Sequence, residues 1–155
     1  MRQKEKEITD TREIESIIQK AEVCRLGLAV NNTPYIVPLF FGYENNCLYF
    51  HCAKEGRKLD MIRQNNKACF EMEGDTEITN RDKPACQWSS AYRSVIGYGR
   101  AFILENPEEK KQALDVIMRH YSGKTSFEYK KKALEEVAII KIVVAHLSGK
   151  QSGGQ

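Results

Sequence analysis

Alternation between apolar and polar side chains is the feature that most limits how this chain can fold. In the segment Cys24–Val30 an apolar side chain stands at every second position, which is the period of a strand with one buried face. Similar strand-forming runs, bounded by turn residues, follow along the chain. The predicted strands cover residues 24–30, 35–43, 47–52, 67–72, 91–104 and 137–147. They predict a sheet of six strands, joined mostly by hairpins.

Helical segments flank these predicted strands. Thr9 or Asp10 is positioned to cap a first helix. Asn106 followed by Pro107 is typical of the start of a longer helix. Two shorter helices are predicted over residues 57–64 and 126–136. Strands joined by hairpins, with helices around them, predict an α+β domain built on an antiparallel sheet or a small barrel.

Interruptions of the pattern give further expectations about the sheet and its ends. Pro38 lies within the predicted strand 35–43, and proline cannot donate to a ladder, so we expect this strand at an edge or a bulge. The polar segment 73–83 is predicted to be a loop because it has few apolar residues. We assign residues 1–150 to a single domain and residues 151–155 to a flexible C-terminal tail.

Length and composition exclude several classes of protein. The 155 residues include 24 basic and 21 acidic side chains, and this net charge of +3 is too small to indicate a nucleic-acid partner. No apolar run reaches the length of a membrane span, and the first ten residues do not resemble an export signal. The five cysteines form no Cys-x-x-Cys pair, so we expect reduced thiols and a cytoplasmic location. The three histidines lack the spacing of a metal site.

The start of the predicted helix 57–64 is a candidate anion site. Gly56, Arg57 and Lys58 open this helix directly after a short loop. A helix N-terminus offers free backbone N–H groups, and two cations add charge-assisted donors, a combination that suits a phosphate. The alternative is that Arg57 and Lys58 are ordinary solvated charges, because cationic helix starts are common. The residues alone leave both interpretations open.

The predicted strand 91–104 is a second candidate region. Gly97 and Gly99 allow a ligand or a neighbouring backbone to approach closely, while Ser94 supplies a hydroxyl and Tyr92 a flat ring. The alternative is a strand that bends at the corner of a barrel. The only tryptophan, Trp88, precedes this strand and is expected to pack or to line an interface.

Five segments follow one another in a characteristic order: PYIVPLFFGY, LYFHCAKEGRK, ACFEME, CQWSSAYRSVIGYGRA and LSGK. In this order the chain resembles the flavin mononucleotide (FMN)-binding split-barrel proteins related to pyridoxamine 5′-phosphate oxidase, and among them the nitroimidazole-resistance (Nim-like) branch. The similarity runs from about Ile14 to Lys150. It implies a six-stranded antiparallel split β-barrel with flanking helices. It also implies a homodimer that holds FMN in two clefts at the subunit interface.

The resemblance further implies which residues bind the cofactor. Backbone groups of residues 37–39 would follow the polar edge of the flavin ring, residues 50–52 would flank the ribityl chain, and Arg57 and Lys58 would bind the phosphate. Tyr92, Ser94 and Val95 match a strand that often reaches the flavin from the opposing subunit. The whole set is Val37, Pro38, Leu39, Phe50, His51, Cys52, Arg57, Lys58, Tyr92, Ser94 and Val95. No proton donor is identified, although His51 is the best candidate near the cleft.

The activity implied by the resemblance is that of an FMN-dependent oxidoreductase. It would pass electrons from a reduced nicotinamide or similar donor to a small acceptor such as a nitroaromatic. Pyridoxamine 5′-phosphate oxidase activity is disfavoured, because the oxidase carries a C-terminal segment with tryptophan and arginine that this chain lacks. Cys52 and Ser94 also stand where the oxidase has threonine and glutamine. The alternative is a non-catalytic protein that stores or senses flavin or haem, with no metal site other than haem iron.

A surface rich in apolar and aromatic side chains is expected where two chains meet. One small barrel cannot readily bury all the aromatic side chains of Phe40, Phe41, Trp88 and Tyr98. We therefore expect these four residues to contribute to the homodimer interface. Nucleic acid and membrane are not expected as partners.

Overall fold

The computed structural model describes residues 3–153. The strands are β1 (Glu7–Ile8), β2 (Cys24–Val30), β3 (Thr33–Leu39), β4 (Gly42–Glu44), β5 (Cys47–Ala53), β6 (Lys67–Thr79), β7 (Ser89–Leu104) and β8 (Val137–Ser152). The helices are α1 (Thr11–Lys20), α2 (Arg57–Gln64), α3 (Pro107–Ser122) and α4 (Lys131–Glu136). Single turns of 3₁₀ helix cover Lys4–Lys6 and Ala85–Gln87. The fold is thus α+β and mainly β, as predicted.

One antiparallel sheet contains all the described strands. Its order is β3-β2-β6-β7-β8-β5-β4, and β1 pairs separately with β8. The sheet has eight strands rather than the six predicted. Within the described residues it is not closed, since β3 and β4 stand at the two ends of the path. β3 is an edge strand, which confirms the position expected for Pro38.

The predicted strand 35–43 is divided, which accounts for one of the additional strands. Phe40 and Phe41 separate β3 from β4, with the Phe41 side chain fully buried and Phe40 59% exposed. The chain turns here because it passes directly against α3. A side chain at Gly42 would place its Cβ 2.7 Å from the backbone nitrogen of Ile117, so this close approach requires glycine.

The predicted loop 73–83 is mostly strand. β6 pairs with β7 as far as Thr79 opposite Ser89, with a register shift between Glu73 and Thr76. Backbone hydrogen bonds hold this two-stranded extension together, and such bonds do not need apolar side chains. The prediction of a loop from the polar composition was therefore wrong. The fourth helix is also shorter than predicted, since α4 begins at Lys131.

β8 pairs with β7 as far as Ser152 opposite Tyr92. This pairing includes two residues that the sequence assigned to the tail. Positions 154 and 155 lie outside the described residues, so the division into residues 1–150 and a flexible tail stays a prediction.

The core lies against the inner face of the sheet. Leu26, Phe70 and Val95 are fully or almost fully buried on three adjacent strands, and α1 packs Ile17 and Ile18 into the same cluster. Burial of side chains of this size supplies about 1.5–3 kcal/mol each. Asp10 caps α1 by accepting a hydrogen bond from the Arg12 N–H at 2.9 Å. The described helices include none long and apolar enough to cross a membrane.

Candidate cofactor site

The N-terminus of α2 presents free backbone donors and two cations. Gly56 precedes the helix with a φ of 135°, a left-handed conformation that strongly favours glycine. Its carbonyl accepts the N–H groups of Leu59 and Asp60 at 2.9 and 3.3 Å, but no side-chain hydrogen bond caps the helix. The N–H groups of Arg57 and Lys58 therefore stay available to an anion.

Arg57 is held against the edge strand. Its guanidinium carbon lies 4.9 Å from the centre of the Tyr35 ring on β3, a cation–π contact that restricts the arginine side chain. Among the side chains that the structure describes, neither Arg57 nor Lys58 pairs with a carboxylate. Both charges are therefore free to bind an anion.

Cys52, near the end of β5, lies close enough to Lys58 for the two side chains to interact electrostatically. Burial raises the pKa of the Cys52 thiol, and the Lys58 ammonium opposes this only in part. The thiol is therefore neutral near pH 7 and can serve as a neutral polar contact. His51 is exposed, whereas Phe50 is fully buried in the core, so Phe50 can reach a ligand only through its backbone.

The β3 residues of the predicted site offer backbone groups at a sheet edge. Val37 and Leu39 are half-buried and pack against the core, while Pro38 is exposed between them. Within the described part of the chain, β3 pairs with β2 alone. Its outward N–H and C=O groups are thus open to a ligand, as the polar edge of a flavin ring would require.

The β7 residues lie apart from this group. β2 and β6 separate β7 from β3 in the sheet. Ser94 pairs with Glu73 and Lys150, and the Lys150 ammonium lies 5.5 Å from the centre of the Tyr92 ring. Val95 is fully buried. The chain thus places Arg57 against β3 and Lys58 near Cys52 of β5, while Ser94 and Tyr92 lie seven and nine residues before Ala101, the part of β7 that bonds Asn66 after α2.

Two residues of α3 support the site and were not predicted to do so. The Tyr121 hydroxyl accepts the Phe41 N–H at 2.9 Å and donates to the Glu22 carbonyl at 2.8 Å. His120 bonds the Ala21 carbonyl through Nε2 at 2.8 Å, and its ring packs 4.5 Å from that of Phe41. These contacts fix the corner that follows Leu39. In the sequence, Tyr121 has only the signal of an apolar helix stripe.

Phe41 does not contribute to the surface that the sequence suggested for an interface. It is fully buried, whereas Phe40, Trp88 and Tyr98 are 59%, 49% and 53% exposed. The correction has a local cause, since the Phe41 ring turns inward to pack on His120. The three other aromatic residues remain available to a partner.

An antiparallel sheet of this order with helices packed around it is consistent with the split-barrel class of proteins. A family model for pyridoxamine 5′-phosphate oxidase matches residues 10–151. The chain therefore belongs to the pyridoxamine 5′-phosphate oxidase family. No curated protein shows significant sequence similarity to it.

Solved structures agree with this assignment. A protein from Bacteroides thetaiotaomicron VPI-5482, provisionally described as a 5-nitroimidazole antibiotic resistance protein, is 36% identical, with a TM-score of 0.83 over 94% of this chain and 86% of its own. The flavocytochrome Anf3 from Azotobacter vinelandii is 21% identical, with a TM-score of 0.81 over 99% and 72%. The FAD and heme binding protein from Mycobacterium smegmatis is 17% identical, with a TM-score of 0.82 over 96% and 74%. The last two establish likeness of fold alone.

Proposed function

We propose that this protein binds FMN as a homodimer and acts in the cytoplasm as an oxidoreductase. The phosphate would lie at the start of α2, the ribityl chain along the end of β5, and the polar edge of the ring along the backbone of β3. A second chain would complete each cleft with Tyr92 and Ser94, whereas the Val95 side chain lies in the core of its own chain. The single observation that carries the proposal is the uncapped start of α2 with its two unpaired cations.

The donors present there fit a phosphate monoester. Arg57 and Lys58 offer charge-assisted hydrogen bonds, and the helix N-terminus adds backbone N–H groups with the positive end of a dipole. Tyr35 holds the guanidinium in place beside the edge strand. Because β3 pairs with β2 alone within the described residues, a ring next to the phosphate site would meet its unused backbone groups, among which Pro34 and Pro38 offer carbonyls and no N–H.

The exposed face of the sheet supports a second copy of the chain as partner. Ile36 and Tyr98 are 69% and 53% exposed. They lie in one cross-strand row with Gly27 and Cys69, which are small enough to leave the row flat. Ile96, in the adjacent row, is also exposed. Apolar residues in such a continuous row are typical of a protein interface.

Bound flavin supplies the redox chemistry, by accepting a hydride and passing electrons on. The residues of this chain would anchor the phosphate, orient the ring and exclude water from one of its faces. We propose a reduced nicotinamide as donor and a nitroaromatic compound as acceptor, in keeping with the description of the Bacteroides relative. The chain gives no reason to assign pyridoxamine 5′-phosphate oxidation. No catalytic residue is assigned.

A second candidate function is non-catalytic storage or sensing of flavin or haem. The descriptions of the Azotobacter and Mycobacterium structures, a flavocytochrome and an FAD and heme binding protein, favour it. Haem iron needs an axial ligand, and a histidine nitrogen can supply one. Nε2 of His120 is already bonded to Ala21, so the exposed His51 is the better placed of the two histidines considered for this role.

Absorbance spectra of the purified protein, before and after added FMN and dithionite, test the proposal. We expect flavin bands that bleach on reduction, and extraction of FMN rather than FAD. A Soret band instead would favour the haem function. Reducible flavin without turnover of nitro compounds or quinones would favour storage or sensing. A protein that neither contains nor takes up flavin contradicts the proposal.

Variants of α2 test the phosphate site itself. Arg57→Gln and Lys58→Gln should each weaken FMN binding about 10- to 100-fold, since a hydrogen bond to a charged group contributes about 1.5–3 kcal/mol. Arg63→Gln is the matched control. It removes the same charge from the same helix, but Arg63 pairs with Asp60 at 3.0 Å, so we expect unchanged affinity. Equal losses in all three variants would mean that the effect is not local to the helix start.

A further inference from the structure

A separate cleft lies where the end of β5, α2 and the start of α3 meet. Its volume is about 280 Å³. Its apolar lining consists of Leu59, Ile103, Leu104, Val137 and Ala138, and its charged lining of Lys54, Arg63, Lys110 and Glu105. Arg57 and Lys58 do not line it. It therefore differs from the phosphate site proposed above.

Lys110 is an unusual residue to find in this cleft. It is only 9% exposed, and it lies on the buried face of α3 with Ala113, Val116 and Ile117. Among the described side chains it forms no ion pair. Its aliphatic stem is therefore buried among apolar side chains, while the ammonium at its end lines the cleft.

The surroundings of Lys110 are rich in positive charge. It stands in the first turns of α3, which begins at Pro107, near the positive end of the helix dipole. Lys54 and Arg63 line the same cleft, and Glu105 is the one carboxylate that faces them. Arg63 is neutralised by Asp60 at 3.0 Å, which leaves a surplus of positive charge around Lys54 and Lys110. A bound anion would balance this positive charge.

We propose that this cleft binds a small organic anion. The anionic group would lie between Lys54 and Lys110, and an apolar body would cover the floor formed by Leu59, Ile103 and Ala138. The volume of about 280 Å³ has room for a body the size of an aromatic ring. This inference does not rest on the proposed function, because it uses other residues.

Calorimetric titration of the full chain with phenyl phosphate tests the inference, since this probe combines an anion with an apolar ring. We expect saturable binding that is stronger than that of inorganic phosphate, which has the anion without the ring, or of benzyl alcohol, which has the ring without the anion. Lys110→Met keeps the buried stem and removes the charge, and it should weaken binding at least tenfold. Lys54→Met should weaken it by a smaller factor and serves if Lys110→Met does not fold.

Two variants act as controls. Lys111→Met changes the exposed neighbour of Lys110 and should leave the affinity within about twofold. Arg57→Gln should remove only the second binding event that the phosphate site contributes, and leave binding in the cleft unchanged, if the two sites are separate. The proposal is overturned if phenyl phosphate does not bind, if it binds Lys110→Met and Lys54→Met as tightly as the unchanged chain, or if Arg57→Gln alone abolishes binding.

Discussion

The start of α2 and the middle of β7 contribute to the proposed cofactor site in different ways. Around α2, one chain brings together Arg57, Lys58, Cys52 and the Tyr35 ring. On β7, Ser94 stands on a strand that β2 and β6 separate from β3. The first region is assembled within the chain, and the second is displayed on the sheet. In the proposed dimer, each chain would therefore hold two half-sites rather than a complete site.

The largest effect is expected from breaking the surface that would join the half-sites. Ile36→Lys combined with Tyr98→Lys places two charges in the exposed cross-strand row. We expect monomers and a loss of FMN affinity greater than 100-fold, because burying unpaired charges at an interface is costly. Light scattering and fluorescence titration measure the two outcomes.

The same charges placed on the exposed face of α4 provide the control, since they should alter neither assembly nor binding. If the Ile36 and Tyr98 double variant remains a dimer, or binds FMN normally as a monomer, the two regions do not need each other.

A smaller effect is expected from Tyr121→Phe, which acts on the region assembled within the chain. The hydroxyl joins the Phe41 N–H to the Glu22 carbonyl, and without it both groups lose a partner. We expect the free energy of unfolding to fall by about 1–3 kcal/mol, measured by urea denaturation.

FMN binding to Tyr121→Phe should weaken several-fold, with a shifted flavin absorbance, because the corner after Leu39 is no longer fixed. Tyr43→Phe is a suitable control, since the Tyr43 hydroxyl makes a long hydrogen bond of 3.4 Å to the exposed Asn46 side chain. Similar losses of FMN affinity in both variants would show that the corner after Leu39 has no specific role in FMN binding.

The smallest effect is expected from Ser94→Ala on β7. Loss of one neutral hydrogen bond of about 0.5–1.5 kcal/mol corresponds to a two- to tenfold weaker binding of FMN. The dimer should persist, because Ser94 contributes little apolar area. Isothermal titration of dimeric protein measures this change, and an unchanged affinity would remove Ser94 from the site.

Local signals in the sequence predicted one region better than the other. The helix 57–64 and its cationic start were predictable because glycine, charge and apolar spacing occur together within a few residues. The hairpin extension beyond Glu73 was not predictable, because pairing through backbone groups requires no apolar pattern in the sequence. The break at Phe40 was not predictable either, because contact with α3, about 80 residues later, determines it. The inward turn of Phe41 follows from the same contact.

The buried faces of the strands were predictable from period two, but the opposite face was not. Alternation indicates which side chains lie on the outer face of a strand, as it does for Arg25 and Gly27. It does not indicate which residues those side chains contact. Arg25 in fact bonds Glu71 and Glu73 at 3.1 and 3.0 Å. The row from Ile36 to Tyr98 became visible only when the strand registers were known.

Mixing two defective chains tests most directly whether each site takes Arg57 and Lys58 from one chain and Ser94 from another. One chain carries Arg57→Gln and Lys58→Gln. The other carries Ser94→Tyr, whose large side chain would block the exposed face of β7. Neither should bind FMN tightly alone. After mixing and refolding, the account predicts that about half of the dimers regain one tight FMN site, formed by the two unchanged halves. No regained binding in the mixture, with mixed dimers present, would contradict it.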